Sequence, residues 1–98
     1  MNDISYDTAE GLFIDFLCEK GLKKTFERIA VFKEVYSTEG HFDVDTLFLR
    51  MGNKKIRVSR ATIYSTVKLL HECRLVRRHR FAKQATQYEK TYPAPQHD

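Results

Sequence analysis

The chain has 98 residues, enough for one domain with a single modest core. Hydrophobic residues make up 42% and charged residues 31%, a balance that suits a globular chain and excludes a disordered one. No apolar run approaches the roughly 20 residues of a membrane helix, and the acidic start "MNDISYD" lacks the basic region of a signal peptide. A cytoplasmic protein with no membrane partner is therefore expected. Cys18 and Cys73 stand 55 positions apart in apolar contexts with no CxxC around either, so buried free thiols are expected rather than a disulfide or metal site.

In chain order, Thr8 is placed to cap a first helix whose apolar residues Leu12, Phe13, Phe16 and Leu17 recur at helical spacing, with Gly21 as its end. "LKKTFERIAVFKEVYST" follows, with Thr25 as N-cap, a stripe of Ile29, Phe32, Val35 and Tyr36, and Gly40 closing the turn. Asp43 caps a shorter helix, "VDTLFLRM", that buries Val44, Leu47, Phe48 and Met51 before Gly52 and Asn53 stop it. A basic loop, "NKKIRV", leads to "VSRATIYSTVKLLHECRLV" over residues 58–76. After it, "LVRRHRF" and "TQYEKTY" alternate as two antiparallel strands joined by "AKQA". "PAPQHD" reads as a linker, because two prolines forbid a continued helix or central strand. The fold expected is mainly α with a small β-hairpin, the order of a winged helix-turn-helix, in which the helix before the hairpin enters the DNA major groove.

The net charge of +4 is unevenly placed. Residues 1–53 hold 10 acids and 6 Lys/Arg, whereas residues 54–83 hold 10 Lys/Arg against one acid, Glu72. Such segregation points to a polyanion such as double-stranded DNA; the plainer alternative is a solvated basic face. With Ser59 as N-cap, Ile63, Val67 and Leu70 fall on one arc of the next helix, with Thr66 and Cys73 at its edge. Arg60, Tyr64, Ser65, Lys68 and His71 fall on the other. An exposed Tyr64 between two cations would suit base and phosphate contact, or else would pack on a neighbouring helix or the wing. The basic hairpin residues Arg77, Arg78, Arg80 and Lys83 would add contacts to the backbone of the duplex. His71 and His79 lie among cations and read as DNA-facing or solvated rather than as ligands.

Four segments, "GLKKTFERIAVFKEV", "GHFDVDTLFLRM", "VSRATIYSTVKLLHECRLV" and "QYEK", resemble in order and spacing the ferric uptake regulator family of bacterial metal-responsive repressors. The resemblance implies a winged-helix DNA-binding domain over residues 1–92, with residues 93–98 starting a hinge to a dimerisation domain that this chain lacks. It implies a base-contacting role for Tyr64 and groove or backbone contacts for Lys23 and Arg28; as plain surface charges these last two need no partner. The position after the family tyrosine is commonly arginine and here is Ser65, so one phosphate contact that the resemblance implies would fall instead to Arg57 or Arg60. His41 and Glu89 match metal ligands, with His97 and Asp98 at the start of a histidine-rich segment, an incomplete site. Fe(II), Zn(II) or Mn(II) is implied for the full-length parent and no cofactor is expected on this fragment. A lone half-site domain without its self-dimer would bind DNA weakly and independently of metal.

No nucleophile elbow, Walker loop or HExxH is present, and no enzyme activity is expected. The alternative function is a winged-helix interaction module whose basic face meets an acidic partner protein.

Overall fold

Residue 6 opens the first helix of the computed structural model, which describes residues 6–80 and 84–91. Helix α1 spans Tyr6–Glu19, so Thr8 lies inside its first turn and is not its cap; Asp7 in that turn complements the helix dipole. The next three helices start at the residues expected. Thr25 Oγ1 accepts from the Arg28 amide at 3.1 Å to cap α2 (Phe26–Tyr36). Asp43 Oδ1 accepts from the Thr46 amide at 2.8 Å to cap α3 (Val44–Asn53), and that bond holds the Asp43 carboxyl below its ordinary range. Ser59 Oγ accepts from the Thr62 amide at 3.1 Å to cap α4 (Arg60–Glu72).

Three helices end in the same way. After α1, Leu22 N–H donates to the Leu17 carbonyl and Gly21 N–H to that of Cys18, with Gly21 at φ 71°. The same pair of bonds closes α3 through Ile56 and Lys55, and α4 through Leu75 and Arg74. Only the first uses glycine: Lys55 (φ 64°) and Arg74 (φ 69°) take the left-handed conformation at a cost of about 1–2 kcal/mol each. Helix α3 thus runs through Gly52 and Asn53, which were expected to stop it, and turns at Lys55.

Helix α4 packs against α2, α3 and the first strand. Ile63, Val67 and Leu70 are fully buried among Val31, Phe32 and Val35 of α2 and Leu47 and Met51 of α3. Phe13 stacks on Phe32 at 5.7 Å, which attaches α1 to α2, and Phe32 stacks in turn on Tyr36 of its own helix at 4.8 Å. The buried line of α1 is Ala9, Phe13 and Leu17, narrower than expected. Leu12 is exposed and Phe16 half-buried, and Cys18, one step off that line, is exposed instead of buried. Cys73 is half-buried, and burial pushes its thiol up to about 11.

Strands β1 (Val76–His79) and β2 (Gln87–Lys90) pair antiparallel in the register Val76↔Lys90, Arg77↔Glu89, Arg78↔Tyr88, His79↔Gln87. Two short strands are marginal by themselves. Phe42, just before α3, adds a rung on the free side of β2 through mutual amide bonds with Tyr88 of 2.8 and 2.7 Å. The Phe42 and Tyr88 rings stack at 6.0 Å, and both are buried. The hairpin tip at 81–83, which includes Lys83, and residues 92–98, with the expected hinge, His97 and Asp98, lie outside the described residues. No helix among the described residues is long and apolar enough to cross a membrane.

Two measurements check this packing. Thr66 is fully buried and its Oγ1 has no hydrogen-bond partner among the described residues, so the isosteric Thr66→Val should raise stability by about 1 kcal/mol in urea denaturation; lower stability would mean that the hydroxyl is satisfied. At pH 8, iodoacetamide should label Cys18 in the folded protein while Cys73, about one part in a thousand ionised, reacts only on unfolding. Equal labelling by mass spectrometry would contradict the burial of Cys73.

Candidate nucleic-acid interface and metal cluster

Because Ile63, Val67 and Leu70 turn one arc of α4 inward, the opposite arc faces water. Arg60, Tyr64, Ser65 and Lys68 are all exposed, Tyr64 at 51%, and His71 is half-buried. About half of the Tyr64 side chain is thus open to solvent, with Tyr88 of the hairpin near enough to feel its charge. Ser65 Oγ donates to the Thr62 carbonyl at 3.1 Å. Arg60 is the most constrained of the set: its Nε donates to Asp45 Oδ1 at 2.8 Å and its guanidinium lies 4.1 Å from the Phe48 ring centroid. Neither contact was apparent from the sequence, since Asp45 and Arg60 are 15 positions apart on different helices.

The N-termini of α2 and α4 converge on a polar hollow of about 350 Å³ lined by Thr25, Glu27, Arg28, Arg57, Val58, Ser59, Thr62 and Ser65. Arg28 Nη1 donates to the Lys23 carbonyl at 2.6 Å, so the loop carrying exposed Lys23 is tied to the first turn of α2. Arg57 is exposed at the entrance to α4. The structure thus gathers Arg28, Arg57 and Ser65 around one hollow. On the hairpin, Arg77, Arg78 and Arg80 are exposed.

A second group of side chains collects on the outer face of the hairpin. The Phe42↔Tyr88 rung sets residue 41 opposite residue 89, and the β1–β2 register puts His79 diagonal to Glu89 on the same face. His41 Nε2 lies 3.5 Å and His79 Nε2 3.3 Å from Glu89 Oε1, with the two imidazole rings 4.8 Å apart at 61°. One ligand atom from each residue falls within 4.8 Å of the others. Two ligands of a tetrahedral ion at ordinary bond lengths stand about 3.4 Å apart, so both contacts to Glu89 already have that spacing. Two imidazoles and a carboxylate suit borderline divalent ions such as Zn(II), Fe(II) and Mn(II).

The sequence reading gave His79 to DNA or solvent because of its basic neighbours; the structure places it beside His41 and Glu89. The signal that could have found it is strand alternation, which needs the pairing register before it says which histidine shares a face with Glu89.

Residues 19–98 match the model of the ferric uptake regulator family. A ferric uptake regulation protein of Rhizobium leguminosarum bv. viciae is 33% identical over 86 residues, covering 87% of this chain and 60% of the relative. The chain thus spans about six-tenths of the length of that relative. The ferric uptake regulator of Helicobacter pylori superimposes with a TM-score of 0.81 at 17% identity, covering 99% of this chain and 64% of its own, a likeness of fold alone. The Pseudomonas aeruginosa ferric uptake regulator, determined with manganese, gives 0.66 at 25% identity over 76% of this chain and 56% of its own. Four helices with an antiparallel hairpin are the winged-helix arrangement expected, and the chain belongs to the ferric uptake regulator family, a family of regulators and not of enzymes.

Proposed function

We propose that this chain is the sequence-specific DNA-binding domain of a metal-responsive transcriptional repressor, acting in the cytoplasm on double-stranded DNA. The observation that carries the reading is Tyr64, a half-exposed aromatic between Arg60 and Lys68 on the helix immediately before the hairpin. In this reading α4 lies in the major groove, where the Tyr64 ring packs on a thymine methyl and its hydroxyl reaches a base edge or phosphate. The hollow between α2 and α4 offers Arg28, Arg57 and two capped helix N-termini to the DNA backbone, with Lys23 beside it. Arg77, Arg78, Arg80 and Lys83 hold the wing to flanking phosphates. A second domain beyond residues 93–98 would join two copies and so add affinity through effective concentration.

His41, His79 and Glu89 fit a divalent ion as the first part of a regulatory site, with His97 and Asp98 as further donors. An ion bound there supplies positive charge that all three donors share. His41 comes from the segment before α3 and the other two from the hairpin, so shared ligation holds the wing against the entrance of α3. The expectation that this fragment is indifferent to metal counted His41 and Glu89, with His97 and Asp98 as weak additions; His79 adds a donor to that set.

Two experiments test the reading. Tyr64→Ala should leave stability within about 0.5 kcal/mol and weaken binding to a selected duplex, while neutralising Arg77, Arg78 and Arg80 together should weaken all duplexes alike and flatten the salt dependence, whose log–log slope is about −0.9 per phosphate contact. Binding that ignores salt would favour the acidic-partner alternative. In a Zn(II) titration followed by imidazole NMR shifts, His79→Ala should lower affinity at least about tenfold and His71→Ala should leave it unchanged; equal affinity in both variants removes His79 from the site.

A further inference from the structure

Arg60 is the first residue of α4, and its side chain is fixed on two sides before any ligand arrives. Asp45 holds the Nε edge at 2.8 Å, and Phe48, one turn further along α3, lies under the guanidinium plane at 4.1 Å. Among the described residues Nη1 and Nη2 make no hydrogen bond. What is left is a planar fork of N–H donors, 58% exposed, whose rotamer freedom two contacts already restrict, so less is lost on binding than for an unrestrained arginine.

Charge and shape decide what such a fork fits. A phosphate is attracted by net positive charge, and the Asp45 carboxylate lowers that charge at the guanidinium, by an amount that solvent screens because both side chains are exposed. A neutral acceptor pair with fixed geometry loses less by this than a phosphate does. Guanine presents such a pair in the major groove, its N7 and O6 side by side, and two parallel N–H groups of arginine match it. The N-terminal residues of a recognition helix are the ones that reach base edges.

We propose that Arg60 is a specificity-determining residue that reads one guanine of the DNA site, with Asp45 and Phe48 as positioning residues. This inference rests on the DNA-binding reading above. Loss of the Asp45 carboxylate should release Arg60 toward phosphate, so discrimination falls while affinity for arbitrary sequence rises.

The test is selection from a random duplex pool at low salt by the 98-residue chain and by Arg60→Ala and Asp45→Asn, followed by titration of the selected duplex with its guanines replaced singly by 7-deazaguanine, which lacks the N7 acceptor and keeps O6. The unaltered chain should select one fixed guanine and lose at least about 5-fold in affinity when that base is replaced. Arg60→Ala should still bind the pool, select every base at that position and ignore the replacement. Asp45→Asn should bind the pool more tightly and the selected site with less discrimination. The same guanine preference in Arg60→Ala, or indifference of the unaltered chain to 7-deazaguanine, overturns the assignment. Binding with no sequence preference also overturns it and leaves the DNA-binding reading standing, whereas no binding to any duplex overturns both.

Discussion

Burial of Ile63, Val67 and Leu70 against α2 and α3 is the constraint on which the rest of the molecule depends. A helix has one orientation about its axis that buries those three side chains, so the same contact that forms the core aims Tyr64, Ser65 and Lys68 outward. Core truncation there, at about 2–5 kcal/mol for a large-to-small change, would cost a large share of the stability of so small a domain. In the proposed function affinity and stability are thus divided between two arcs of one helix, so that each arc would vary with little effect on the other.

The entrance to α4 is held by a different kind of contact. Glu34 of α2 is almost fully buried, yet Lys54 donates to its Oε1 at 2.9 Å and Arg50 Nη2 lies 2.9 Å from its Oε2, an ion pair without hydrogen-bond alignment. Desolvating a carboxylate is costly, so such a group contributes position more than net stability. Lys54 immediately precedes Lys55, whose left-handed backbone turns the chain out of α3. Glu34 therefore anchors the point from which the loop carrying Arg57 and Ser59 departs. The mixture of a buried charge and a left-handed lysine is strain that the apolar core has to offset.

The hairpin serves two environments through strand alternation. Val76 and Tyr88 point into the core and burial pushes the Tyr88 hydroxyl up, while Glu89 and His79 stand on the outer face beside His41. A shift of one residue in the register would bury Glu89 and expel Tyr88. The Phe42 rung and the stacked Phe42 and Tyr88 rings oppose that slip. The cluster of possible ligands thus depends on the same rung that docks the wing.

What the amino-acid sequence determined by itself is everything set within a turn or two of chain. Thr25, Asp43 and Ser59 cap their helices because a short side-chain oxygen needs only the amide three residues on, and the inward arc of α4 follows from its own spacing. The family was legible too, since "GHFDVDTLFLRM" and "ATIY" keep their order and separation. Local rules were less decisive elsewhere: α3 passed Gly52 and turned at Lys55, and α1 buried a narrower line than its apolar residues allowed, with Phe13 stacked on Phe32 of α2 and Leu12 left exposed. Only tertiary structure could pair Asp45 and Phe48 with Arg60, or bring His79 to His41 and Glu89. Those groups come from separate elements, and their distances depend on helix packing and strand register, which are summed over the whole core and written in no single segment of it.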